Sequence, residues 1–195
     1  MSTAHHRKKQ PEQVRQQLLR VTARLAYDQG LGNVTLDAVS QAAGVSKGGL
    51  LHHFPSKMAL LNGLFDDMVE KFDAAMAQVM RSDPVSQGRF TRAYVSTVFA
   101  FDDAEPDTAA TGAGDAQAWR VLTIALLAEP PLRERWRQWV SERADEYVGT
   151  DSSPDCQLAR FAADGIWLAD LLQSHELSAD VRGVMHARLK ALSLQ

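Results

Sequence analysis

Cysteine is almost absent from the 195 residues: Cys156 stands alone, so the chain forms no internal disulfide and cannot assemble a cysteine-based structural metal site. Long apolar runs are missing as well. The longest, Val121 to Ala128 and Gly165 to Leu172, are eight residues each and carry polar positions, against the roughly 20 that a bilayer span requires. No apolar leader follows Met1, so no membrane partner and a reducing, cytoplasmic setting are expected. No stretch sustains the two-residue alternation of a half-buried strand. What is present is ordinary for a soluble globular protein: 45% hydrophobic and 23% charged residues, which excludes a wholly disordered chain.

The net charge of −3 conceals an asymmetry. Residues 1–60 hold eight Lys or Arg against three acids, a local balance of +5, and the remaining 135 residues sum to −8. A basic end on an acidic body is the footprint of nucleic-acid contact confined to one part of the chain, and also that of a solvated basic helix.

Nearly every segment reads as helix. Pro11 suits a first helical position, with Val14, Leu18, Val21 and Leu25 at spacings of three and four and Gly30 as the stop. Thr35 can cap a second helix that buries Leu36, Val39 and Ala43, and Ser46 a short third helix closed by Phe54-Pro55. Ser56 then opens a long fourth helix to about Met80, whose wide apolar stripe implies burial on more than one side. Further helices are expected at about 85–103, 115–128, 131–148, 154–173 and 178–192, with a loop over 102–115. The expected fold is all-α: a small N-terminal three-helix unit (1–57) and a larger helical body (58–195), joined by the fourth helix.

Residues 35–54 carry the function. A helix-turn-helix needs a small residue where its helices meet, a turn residue tolerant of positive φ, and apolar residues that close the angle. Ala42-Ala43, Gly44, then Val45 and Leu50 supply these in order. The second helix of such a motif enters the major groove by its N-terminal end, which here is Ser46-Lys47-Gly48-Gly49.

From Gly30 through Thr35, Ala43-Gly44-Val45-Ser46, His53-Phe54-Pro55-Ser56-Lys57 and Leu60, the sequence resembles the TetR family of bacterial transcriptional regulators over residues 12–65. The run Ala162 to Leu172 resembles a penultimate helix found in one branch of that family. The resemblance implies that Thr35, His53 and Lys57 position the protein on the DNA backbone and that Lys47 meets a base edge or phosphate. Ser46, Gly48 and Gly49 would lie at the same helix start, and His52 where relatives carry an aromatic residue. Leu51 and Gly49 stand where tyrosine and threonine are frequent, so two polar contacts are missing and weight shifts to backbone and shape reading. The basic segment Arg7-Lys8-Lys9, placed ahead of the first helix, is either an arm that follows the minor groove or phosphates, or a solubilising tail.

The body carries less. Aromatic and methionine side chains at helical spacing are first of all core, and as a group Met68, Phe72, Phe90, Tyr94, Trp119 and Trp136 could line an effector pocket. Asp66, Asp67 and Asp73 could meet a cationic ligand or simply face solvent. Leu158, Phe161, Ala162, Gly165, Ile166, Ala169 and Leu172, with Val184 and Leu189 on the last helix, form stripes suited to a four-helix interface between two copies. Adjacent His52-His53 and His5-His6 complete no metal set, no cofactor is implied, and no nucleophile–base arrangement marks an enzyme. The expected protein is a homodimeric repressor released from a near-palindromic duplex operator by a small apolar or amphipathic effector. The alternative is an architectural or partner-regulated DNA-binding protein without such an effector.

Overall fold

The structure, a computed structural model, describes residues 3–102 and 113–194, and the side chains of residues 11–100 and 116–194. Among these there are ten α-helices and no strand: α1 (Thr3–Gln29), α2 (Leu36–Ala43), α3 (Lys47–His53), α4 (Lys57–Ser82), α5 (Arg89–Asp102), α6 (Ala113–Ala128), α7 (Pro130–Glu146), α8 (Val148–Asp151), α9 (Pro154–Leu171) and α10 (Ala179–Leu192). The loop expected over 102–115 lies, for residues 103–112, outside the described residues. Helix α1 begins eight residues earlier than Pro11 implies, with Pro11 inside it. The preceding Ala, Lys, Arg and Gln residues are strong helix formers, and they offset the one hydrogen bond that proline cannot donate.

The chain forms two compact units, Met1–Met68 with Ala109–Arg133, and Val69–Thr108 with Glu134–Gln195. By contact, α4 is shared between the two units and α6 falls in the first. In that unit α1 packs against α6 and α2. Its core gathers Leu18 and Leu19 of α1, Val39, Leu50, Leu60, Leu61 and Leu64, and Val121 and Leu122 of α6, all at most 2% exposed. The buried Thr22 hydroxyl donates to the Leu18 carbonyl one turn back, which spares it the cost of an unpaired polar group.

The second unit packs α9 and α10 against α5. Helix α8, not foreseen from the sequence, separates from α7 at Tyr147. It delivers the buried Asp151 carboxylate to the first turn of α5, where Oδ1 accepts from the Thr91 amide at 2.7 Å and Oδ2 from the Thr150 hydroxyl at 2.7 Å. An anion at a helix N-terminus meets unsatisfied amides and the positive end of the dipole. A second tie closes the turn before α5. Arg92 is buried there, pairing with Asp83 at 2.7 Å and donating to the Ser193 hydroxyl at 3.1 Å. That hydrogen bond holds the Asp83 carboxyl below its ordinary value. Gly88, at φ +68°, lies so near the end of α10 that an added Cβ would sit 2.1 Å from the Ser193 carbonyl oxygen.

Candidate DNA interface and effector cavity

Local chemistry sets the angle between α2 and α3. Thr35 accepts from the Ala38 amide at 3.1 Å and Ser46 from the Gly49 amide at 3.1 Å, so both helices start on a side-chain cap. Helix α2 stops at Gly44, φ +63°, whose amide and that of Val45 return to the Gln41 and Ser40 carbonyls. Of the two alanines at the junction, Ala43 is the buried one, and its carbonyl accepts from the Gln17 side chain of α1 at 2.8 Å. Val39 and Leu50, each fully buried, close the angle from inside. Exposed positions include Thr35, Ser46, Lys47, Gly48, Leu51 and His52, and all of these are polar or without bulk apart from Leu51.

Two cations of this surface are already engaged. The Lys47 ammonium lies 2.8 Å from the Asp37 carboxylate, across the two helix starts. Both side chains are well exposed, so the pair contributes little stability, but it sets where the charge sits before DNA arrives. The Lys57 ammonium donates to the Leu31 carbonyl at 2.6 Å and closes the single 3-10 turn Leu31–Asn33 between α1 and α2. A second, longer bond runs to the Gly32 carbonyl at 3.5 Å, and an ammonium with three protons can still offer one to a phosphate.

The second unit contains a cavity of about 360 Å³ among α5, α7, α8 and α9. Phe90, Tyr94, Trp139, Tyr147 and Phe161 give it aromatic walls, and Arg143, Arg160 and Asp164 give it charge. Tyr94 donates to Asp164 at 2.5 Å. Removal from water pushes the Asp164 carboxyl up to about 6, against the Tyr94 hydrogen bond and the nearby Arg160, which both pull it down. Burial likewise raises the Tyr94 phenol well above its ordinary value. Arg143 grips the Asp73 carboxylate of α4 with two nitrogens, at 2.7 and 3.3 Å, and its guanidinium is held above its usual range by that bond. A ligand that displaces Arg143 therefore acts on α4.

Residues 18–64 match the family described as bacterial regulatory proteins, tetR family, and residues 88–194 match the tetracyclin repressor-like C-terminal domain. The chain belongs to the TetR family. Its relatives include the HTH-type transcriptional regulators EthR of Mycolicibacterium smegmatis, 25% identical over 131 residues, and BetI of Cronobacter sakazakii, 26% identical over 175. These alignments cover 65% and 85% of this chain; the chain spans only 56% of EthR's length but 83% of BetI's. In fold it is similar to the multidrug binding protein EbrR, solved in complex with ethidium, at TM-score 0.62 and 19% identity over 92% of this chain and 97% of that one. The relatives are transcriptional regulators rather than enzymes. A DNA-binding regulator of the TetR family is thus the coarse identity of the protein, and no described helix is long and apolar enough to cross a membrane.

Of the residues expected at the DNA, Thr35, Ser46, Lys47, Gly48 and His52 are exposed, and Gly49, His53 and Lys57 are half-buried. Asp37 was missed, although an acid two positions after the cap residue was the available signal. Arg7, Lys8 and Lys9 do not precede the first helix but lie within α1; their side chains are outside the described residues. In the cavity of the second unit Phe90 and Tyr94 are wall residues. Phe72 stands edge-on behind Tyr94 and Trp139, at 5.4 and 5.6 Å between ring centres, and Trp136 stacks on Trp139 at 4.8 Å. Met68 and Trp119 are buried in the first compact unit and take no part in these walls. Trp139, Tyr147 and Phe161, aromatic residues at the same helical spacing, join Phe90 and Tyr94, and the charged Arg143, Arg160 and Asp164 were not expected there. On Asp73 the structure decides between ligand and solvent for neither: the residue is paired with Arg143.

The apolar stripe of α9 divides into two faces. Cys156, Ala159, Ala163 and Ile166 point into the core, Ile166 at 8% exposure, whereas Leu158, Phe161, Leu168 and Leu172 are 41–70% exposed. Ile166 is therefore withdrawn from the contact surface expected of it, because a step of one residue turns a side chain by about 100° around the helix. Leu168, two positions on, is exposed instead. Gly165 and Val184 are exposed, and Ala162, Ala169 and Leu189 are half-buried. Among the described residues no cluster of three His, Cys, Asp or Glu could hold a metal.

Proposed function

We propose that the protein is a homodimeric repressor that leaves a near-palindromic operator when a small aromatic or amphipathic molecule fills the cavity of its second unit. The observation that carries this reading is the coexistence, in one chain, of a capped helix-turn-helix with a bare outer surface and a separate aromatic-walled cavity. The two Arg143–Asp73 hydrogen bonds support α4 as the route between them. Ligand occupancy need only favour one conformer, and a differential affinity of a few kcal/mol is enough. That EbrR was solved with ethidium supports a planar, partly apolar effector. Leu158, Phe161, Leu168 and Leu172 on α9 and Val181 and Val184 on α10, all exposed, form a surface that a second copy would cover. The cytoplasm is the compartment in which such a protein would act.

The test begins with selection of bound duplexes from a random DNA pool at physiological salt, with the mass of the complex measured. The expected product is an inverted repeat bound by a dimer. The selected operator then serves in a screen of planar aromatic cations and neutral aromatics for release. Failure of every ligand to change DNA affinity would favour the effector-free, partner-regulated alternative, and absence of any enriched sequence would remove the repressor reading.

A further inference from the structure

Helix α3 presents to the outside one feature that a DNA-contacting surface does not need for its own folding. Leu50 is fully buried and anchors the helix, but Leu51, the next residue, is 39% exposed. Spacings of three and four residues place Leu51 on the same face as Gly48 and Lys47. Gly48 has open space where a Cβ would stand, with no atom within 4 Å, so nothing shields Leu51 from a base edge on that side. The Lys47 ammonium is drawn toward Asp37 at 2.8 Å, away along α2. The outer face of α3 is thus a notch in the backbone beside a single apolar side chain.

We propose that Leu51 reads the 5-methyl group of a thymine in the major groove, and so fixes a T·A pair at one position of each operator half-site. This rests on the DNA-binding reading of α3. The major-groove edges of the four bases offer donors and acceptors and one apolar group, the thymine methyl. A leucine cannot satisfy a donor or acceptor, and pressing it against one would leave a buried polar atom unpaired. Against the methyl it removes apolar surface from water on both sides. Gly48 permits the approach, since a side chain there would meet the groove wall before Leu51 reached the base. Specificity at that position comes from an apolar contact in place of a hydrogen bond.

Deoxyuridine substitution isolates the contact, because uracil keeps the pairing and the O4 acceptor of thymine and lacks only the methyl. Each thymidine of the selected operator is replaced in turn, in both half-sites together, and affinity is measured for the wild type and for Leu51→Ala. The expected result is one thymidine whose replacement weakens wild-type binding by roughly tenfold, as two buried methyl groups imply. Leu51→Ala is expected to bind the parent operator about tenfold more weakly and to be indifferent to deoxyuridine at that position. A wild type that tolerates deoxyuridine everywhere overturns the proposal without any variant, and so does a Leu51→Ala protein of native helical content that keeps the same sensitivity. A pool selection that enriches no sequence at all would instead strike at the DNA-binding reading, so the two failures are separate.

Discussion

The candidate DNA surface and the aromatic-walled cavity are built by opposite means. The first is contiguous: Thr35, Ser46, Gly44 and Lys57 shape it within 23 residues, and its caps span three positions each. The second is assembled across the chain. Tyr94 meets Asp164 over 70 positions, Arg143 meets Asp73 over 70, and Asp151 caps α5 over 60. A contiguous site follows from local propensity and turn chemistry, so it tolerates change in the body around it. A dispersed site depends on how helices pack, and a change of one wall can move several others. A regulator with a constant reading head and a variable sensing body is what this division permits.

The comparison can be broken at both ends. The largest effect is expected from Ile166→Ala, which empties a core position of the second unit and should cost about 2–5 kcal/mol in thermal or denaturant unfolding. Phe161→Asp, on the opposite face of the same helix, should leave helicity intact and turn the dimer into a monomer in sedimentation. Operator affinity should then fall on the order of a hundredfold, because two linked half-site contacts become single ones. A Phe161→Asp protein that remains dimeric would remove α9 from the interface.

Smaller changes sharpen the contrast within α3. Gly48→Ala has room for its methyl and should stabilise the fold by about 0.5–1 kcal/mol, as alanine does over glycine inside a helix. The same substitution should weaken operator binding several-fold, so stability and affinity move in opposite directions. Asp37→Asn frees the Lys47 ammonium and removes a negative charge facing the phosphates. Operator affinity should rise by a few-fold at low salt, and the gain should fade as salt is raised.

The smallest effect is a difference in pH dependence. Asp164 holds its proton to about 6 in the folded protein and to its ordinary 3.8 when unfolded. Between these values the folded state binds more protons, so this group makes stability fall as pH rises, with the cost complete above about 6. Asp164→Asn retains an acceptor for Tyr94 without the titration. The gap in melting temperature between variant and wild type should therefore widen in the variant's favour from pH 4 to pH 6.5. A gap that does not change over that range would show that the cavity leaves this carboxylate well hydrated.

The same division explains what was legible in the sequence. Thr35, Ser46, Ser56 and Ser153 were readable as caps, and each accepts from the amide three residues on. The helical character of the longer segments followed from periodicity, and the wide stripe of α4 is buried at Leu60, Leu61, Leu64, Phe65, Met68, Phe72 and Met76. Asp37 escaped because its partner Lys47 is ten residues away on another helix. Arg143 escaped because its partner Asp73 lies 70 positions off, and a sequence shows an arginine on a helix without its carboxylate. Ile166 was read as a surface position and is buried, because small residues on α9 invite close packing on both faces and only the three-dimensional neighbours say which face is taken. Helix α8 is a single turn, too short for periodicity to mark.

The tie between the start of α5 and the end of α10 has a consequence for how the chain is made. Arg92 emerges from the ribosome long before Ser193, which is 101 positions further on. At about 5–20 residues per second this leaves roughly 5–20 s in which α5 stands without its later partners. Until α9 and then α10 are made, the apolar flank of α5 stands uncovered, while α1 to α4 have all been synthesised. The first unit lacks only α6, which follows directly after α5, and can close during translation; the second waits for its last helix with apolar surface exposed, the state in which chains are prone to aggregate.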